Sequence, residues 1–161
     1  MKSLHIAIKA RTIIALSLAA ITAGCTVHPR SMAVSIGAKS WTSDTVYTFE
    51  YTNTDTTARF DAEIFVVCKH NFAKRYERLP MKVECITPDS LTADYRWVLL
   101  TGTALAEQMP TQTELKQKFI ENATLNQRGV YRFNISLDSS TPVKGVWAIG
   151  IDLEKREDGK R

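Results

Sequence analysis

Thr45-Val46-Tyr47-Thr48-Phe49-Glu50-Tyr51 alternates with a period of two: Tyr47, Phe49 and Tyr51 fall on one side, Thr48 and Glu50 on the other. Successive side chains of an extended chain point to opposite faces, so this pattern of aromatic and β-branched residues predicts a half-buried strand. The polar run Asn53-Thr54-Asp55 ends it as a turn. The same period recurs downstream. Phe60, Ala62, Ile64, Val66 and Cys68 share one face with Asp61 and Glu63 on the other, and Met81, Val83 and Cys85 repeat the pattern. Thr87-Pro88-Asp89-Ser90 is a turn with its proline placed to preset the backbone, and Tyr95, Trp97 and Leu99 alternate after it. Two further strands are expected at 130–137, facing inward with Tyr131, Phe133, Ile135 and Leu137, and at 146–153, with Trp147, Ile149, Ile151 and Leu153. Residues 103–127 fit helical turns or extended edges equally, and Pro110 interrupts any helix across them. Seven or eight short strands with turn-rich joints predict an all-β antiparallel sandwich, jelly-roll-like or Ig-like, over residues 32–155. A charged tail follows at 156–161.

Upstream of that domain, Lys2, Lys9 and Arg11 precede an apolar run from Ile13 to Ala20, and then Ile21-Thr22-Ala23-Gly24 leads to Cys25. Charged, apolar and small-residue regions in this order make a secretory signal, and the apolar run is far shorter than the ~20 residues of a membrane span. The placement of Cys25 resembles the lipobox of bacterial lipoproteins, in which the thiol is acylated and the chain is cut before it. The expected organisation is a signal peptide at 1–24, a lipidated N-terminus and tether at 25–31, and the sandwich beyond. Acyl chains bind a bilayer by about 0.8 kcal/mol per buried methylene, so the expected partner of Cys25 is the membrane. Thr26 follows the anchor where an Asp would signal inner-membrane retention, so the outer membrane is the expected address.

Removing the signal changes the meaning of the charge. The chain carries 21 basic and 17 acidic residues; three of the basic ones and no acids lie in 1–24, leaving 18 against 17. A nearly neutral domain offers no general basic footprint for nucleic acid.

Catalytic motifs are absent. Only His28 and His70 lie beyond the signal, too few for a histidine relay or a multi-histidine metal site, and no GxSxG, HExxH or phosphate-cradling loop occurs. Cys68 and His70 lack further ligands, and Asp61 with Glu63 reads as a solvated strand face. No enzyme activity, metal or cofactor is expected. Cys68 and Cys85 form an even pair in a compartment that permits disulfides; a hairpin centred near Tyr76 would bring them opposite each other, and two reduced core cysteines fit as well.

The stretch Lys69-His70-Asn71-Phe72-Ala73-Lys74-Arg75-Tyr76-Glu77-Arg78 mixes cations with aromatics and is long for a hairpin loop. Trp, Tyr and Arg concentrate binding energy at interfaces, so Arg75, Tyr76 and Arg78, with neighbouring Trp41, form the candidate partner surface. Trp97 and Trp147 are in phase with apolar faces and read as core, while Trp41 precedes its strand and stays open.

W-T-S-D-T-V-Y-T-F-E-Y from Trp41, P-D at 88–89, R-G-V-Y-R-F-N-I at 128–135 and V-K-G-V-W-A-I-G-I-D-L-E-K at 143–155, behind a lipobox, resemble the GldH family of gliding-motility lipoproteins from Bacteroidetes. The resemblance covers most of the chain beyond Cys25, and its motifs are structural. The basic stretch at 69–78 and the segment 103–112 depart from it. It implies a non-enzymatic accessory component of the gliding and type IX secretion machinery, acting through contacts with other envelope proteins. A carbohydrate-binding surface lipoprotein is the alternative, with exposed aromatics stacking on glycan. Asp44-Thr45-Val46, Asp55-Thr56-Thr57 and Asp89-Ser90-Leu91 also resemble the O-glycosylation acceptor pattern of this phylum.

Overall fold

A computed structural model of the chain describes residues 31–36, 40–102, 105–108 and 111–156. The signal region, Cys25, the tether to residue 30 and the tail beyond 156 lie outside the described residues. Among the described residues nine strands follow in order: β1 Ser31–Ser35, β2 Val46–Asn53, β3 Arg59–Lys69, β4 Arg78–Ile86, β5 Thr92–Leu100, β6 Leu105–Gln108, β7 Gln112–Thr124, β8 Gly129–Leu137 and β9 Val146–Lys155. One helical turn, α1 Phe72–Arg75, lies between β3 and β4. No helix among the described residues is long and apolar enough to cross a membrane.

All pairings are antiparallel, and they build one sheet in the order β1-β9-β3-β7-β6 and a second in the order β2-β8-β4-β5. Setting β6 aside, the partners are nested: β1 with β9, β2 with β8, β3 with β7, and β4 with β5. The chain behaves as one long hairpin, with its tip between β4 and β5, rolled so that successive arms fall in opposite sheets. That is a jelly roll, which decides between the two arrangements left open by the alternation. β6, four residues on the edge beside β7, takes the count one beyond the expected seven or eight.

The core lies between the two inner faces. Ile64, Val66 and Cys68 of β3, Leu79, Met81 and Val83 of β4, Tyr131, Phe133 and Ile135 of β8, and Ile149 and Ile151 of β9 are all buried there. Segment 112–124 is a strand because Thr113 and Leu115 bury on the inner side while β3 pairs along its length. One departure from strict alternation has a steric cause. Phe65 points outward yet is buried, because its ring lies over Gly150 on the neighbouring strand. A Cβ at Gly150 would stand 2.1 Å from Phe65 Cζ and 2.4 Å from the Met32 carbonyl, so only glycine admits the ring.

Trp97 and Trp147, both expected in the core, are half-buried. Trp97 does point inward, but β5 is an edge strand and the sandwich is open beside it. Of the two arrangements left open for Cys68 and Cys85, a disulfide or two reduced thiols, the structure has the second: both are free. Residues 70–77 do not turn a hairpin; they carry the chain from one sheet to the other. Cys68 lies next to that crossover, whereas Cys85 is seven steps along β4, about 23 Å at ~3.3 Å per residue, against the ~7 Å limit for bridged Cα atoms.

Candidate partner-docking surface

The ends of the sandwich differ. One end carries Ser31, the β2–β3 turn, the β4–β5 turn and the end of β9. The other carries the β3–β4 crossover and the β8–β9 connection. The ten residue steps of β3 separate them by roughly 33 Å.

The crossover is held by its apolar residues. Phe72 is buried, and the Tyr76 ring lies against it with centroids 4.8 Å apart. The Tyr76 N–H donates to the Phe72 carbonyl at 3.0 Å, the Tyr76 carbonyl accepts from Thr101 Oγ1 at 2.7 Å, and the Tyr76 hydroxyl accepts from the Lys144 N–H at 3.2 Å. Lys69 N–H donates to the Gly145 carbonyl at 2.9 Å, tying the crossover to the β8–β9 connection. Anchored this way, the segment holds Lys69, Lys74, Arg75 and Arg78 in solvent, and the neighbouring connection adds Lys144. Among the described residues none of these five cations is in an ion pair. Lys69, Asn71, Phe72, Arg75, Lys144 and Gly145 enclose a notch of about 130 Å³ among them.

Of the four residues expected to form the surface, Arg75 and Arg78 are exposed. Tyr76 is half-buried and its hydroxyl serves the fold. Trp41 is 1% exposed, hydrogen bonded through its backbone to Val143 in both directions at 2.8 and 2.9 Å, with its ring edge-on to Tyr47 at 6.0 Å. It belongs to the core beneath this end, a position that strand phase could not reveal because Trp41 makes a single isolated bridge. Lys144, which sequence reasoning passed over, reaches the surface only because the connection folds back onto Lys69.

The acidic pair on β3 is engaged in the sheet. Asp61 Oδ1 accepts the Asn122 N–H at 2.8 Å, holding Asn122 at φ 57° where β7 is out of register, and Lys118 and Arg156 approach at 3.2 and 3.5 Å. The Asn122 N–H, with the two cations, keeps the Asp61 carboxyl below the usual carboxylate range. Burial works against charge on Lys116, and Asp152 at 2.8 Å and Glu63 at 3.3 Å outweigh it. Burial pushes the Cys68 thiol up to about 12, far from the thiolate needed for nucleophilic chemistry. No group of three or more His, Cys, Asp or Glu side chains among the described residues is arranged to hold a metal ion.

A wider groove of about 500 Å³ opens at the Ser31 end, with Met32, Tyr51, Phe60 and Leu153 among its apolar lining and the Asp55–Lys155 pair, 2.7 Å apart, on its rim. Among the described residues Tyr95, 43% exposed, is the single aromatic ring that stands well into solvent. Tyr95 and Trp97 stand at 88° and 83° to Phe119, and Tyr51 at 72° to Phe60. Neither the known family models nor the curated proteins contain a match to this chain.

Proposed function

We propose that the chain is a lipid-anchored envelope protein of the GldH kind that works without catalysis, by docking an acidic face of another envelope protein onto its crossover end. The observation that carries this reading is the contrast in charge. Elsewhere Lys82, Arg96, Lys116, Lys118, Arg132, Lys155 and Arg156 meet carboxylates and only Arg59 and Arg128 stand singly without one, while the five gathered at the crossover end have none among the described residues. An array of unmatched cations on an anchored scaffold attracts and orients an acidic partner, accelerating encounter and fixing register. The anchor on Cys25 suits this geometry. Six residue steps separate Cys25 from Ser31, so the tether spans at most about 20 Å and enters at the end opposite the cations. Docking and anchoring therefore do not compete for one surface. Among the described residues Tyr95 is the single well-exposed aromatic ring, which leaves a glycan no row of rings to stack on and favours a protein partner over the carbohydrate alternative.

Two measurements test the two parts. Cys25→Ala is expected to abolish fatty-acid incorporation and membrane retention; continued labelling of the variant overturns the anchor. Combining Lys74→Glu, Arg75→Glu and Arg78→Glu in the full chain is expected to remove envelope proteins that copurify after crosslinking, with the melting temperature unchanged. Retention of every crosslinked protein by the folded variant overturns the docking surface.

A further inference from the structure

Among the described residues β5 is the outer edge of the four-stranded sheet, with β4 as its one neighbour. Open edges are templates for pairing with another chain, and soluble proteins usually blunt them with proline, bulges or short length. β5 has none of these: it pairs with β4 through nine consecutive positions without a register shift and contains neither proline nor glycine. It is also where the molecule is most apolar outside. Among the described residues six large apolar side chains stand exposed, and four of them, Leu91, Tyr95, Val98 and Leu100, lie on β5 or just before it.

Two hydrogen bonds fix which backbone groups face outward. The Leu100 N–H turns away from β4 and donates to Gln117 Oε1 at 3.0 Å, whereas the Thr101 N–H turns the other way and reaches the Glu77 carbonyl at 3.1 Å. In an antiparallel strand the N–H and C=O of one residue point to the same side and alternate along the chain. Thr92, Asp94, Arg96 and Val98 therefore present both groups to the open edge, and Gln117 closes the ladder at Leu100.

The geometry points to a second copy of this chain as the occupant, its β5 antiparallel to the first about a two-fold axis passing between the two Tyr95 residues. That register sets Thr92 against Val98 and Asp94 against Arg96, each twice, using all four open positions and about eight backbone hydrogen bonds. Charge selects it from its neighbours. Moving the axis to residue 94 opposes two aspartates, and moving it to residue 96 opposes two arginines; only the axis at Tyr95 opposes unlike charges. Both side chains are available for exchange. Arg96 is 85% exposed and 3.7 Å from Asp138, and Asp94 is 56% exposed and 3.5 Å from Lys82, weak surface contacts in both cases. The two tyrosine rings, each seated edge-on to Phe119 at 5.5 Å, meet across the axis and extend the apolar cluster between copies. The two Ser31 ends then lie at opposite ends of the paired sandwiches.

Site-directed crosslinking of the full-length chain in its own envelope tests this. Tyr95→Cys is expected to give a disulfide-linked species of twice the mass under mild oxidation, with the unsubstituted chain as baseline. Val98→Cys is expected to stay monomeric, because the two Val98 positions lie about 20 Å apart in this register. Adding Arg96→Asp to Tyr95→Cys opposes like charges and is expected to lower the dimer about fivefold or more. Adding Asp94→Arg as well is expected to restore it. A monomeric Tyr95→Cys variant, equal crosslinking through Val98→Cys, an adduct of another mass, or failure of the charge exchange to rescue each overturns the proposal.

Discussion

The outer face of the four-stranded sheet and the β3–β4 crossover both carry dense charge, but they treat it oppositely. On the sheet Arg132 meets Glu50 at 2.9 Å, Asn134 joins Thr48 to Glu84 at 2.8 and 2.6 Å, and Lys82 approaches Asp94 at 3.5 Å. These groups are cross-strand neighbours, so the register that aligns the core also aligns the charges above it. The crossover has no opposing strand. The neighbouring β8–β9 connection adds Lys144 to its cations, and the one acid there, Asp138, lies instead 3.7 Å from Arg96 of β5. Charge left unmatched where matching costs nothing to the fold is a surface suited to something outside the chain.

That comparison can be broken most forcefully from beneath. Phe72→Ala removes the buried ring on which Tyr76 rests and is expected to cost roughly 3–5 kcal/mol, measured as a lowered denaturation midpoint, and to loosen the cationic end with it. A smaller effect is expected at Asp61. Its folded pKa is depressed, so it stabilises the fold above its unfolded pKa, near 4, and that contribution is lost as the pH falls toward the folded value. Asp61→Asn should lower the melting temperature at neutral pH and narrow the gap from the parent chain in acid; an equal deficit at every pH would contradict it. Breaking the exposed Arg132–Glu50 pair with Arg132→Ala is expected to cost only about 0–1 kcal/mol, since both side chains are more than half exposed. At the low end, a reductant is expected to leave the melting temperature unchanged, because Cys68 and Cys85 are not bridged.

The alternation visible in the sequence placed most strands, because burial on one face leaves a two-residue period wherever the other face is wet. It could not place segment 112–124. Glu114 to Ile120 supports a helical period as well as an extended one, and pairing with β3 decides between them. Period also says nothing about which sheet a strand joins. That is why Cys68 and Cys85, each on an inward face, looked like hairpin partners although their strands lie in different sheets. The candidate surface was legible in part. Composition singled out Arg75 and Arg78, but Tyr76 and Trp41 have the same chemistry as interface anchors, and only packing shows that the fold uses them. The β5 edge left no sequence signal, since an edge is defined by the neighbour it lacks.

The nested pairing has a mechanical consequence. β1 begins at Ser31, and its five residues pair with β9 along one edge of the five-stranded sheet. A pull applied at Ser31 outward along β1, resisted at the crossover end, runs parallel to these strands. It loads the rungs between Ser31–Ser35 and Ala148–Asp152 together, in shear, instead of peeling them one by one. The first strand of the domain is thus placed to pass tension applied at Ser31 into the core before it yields.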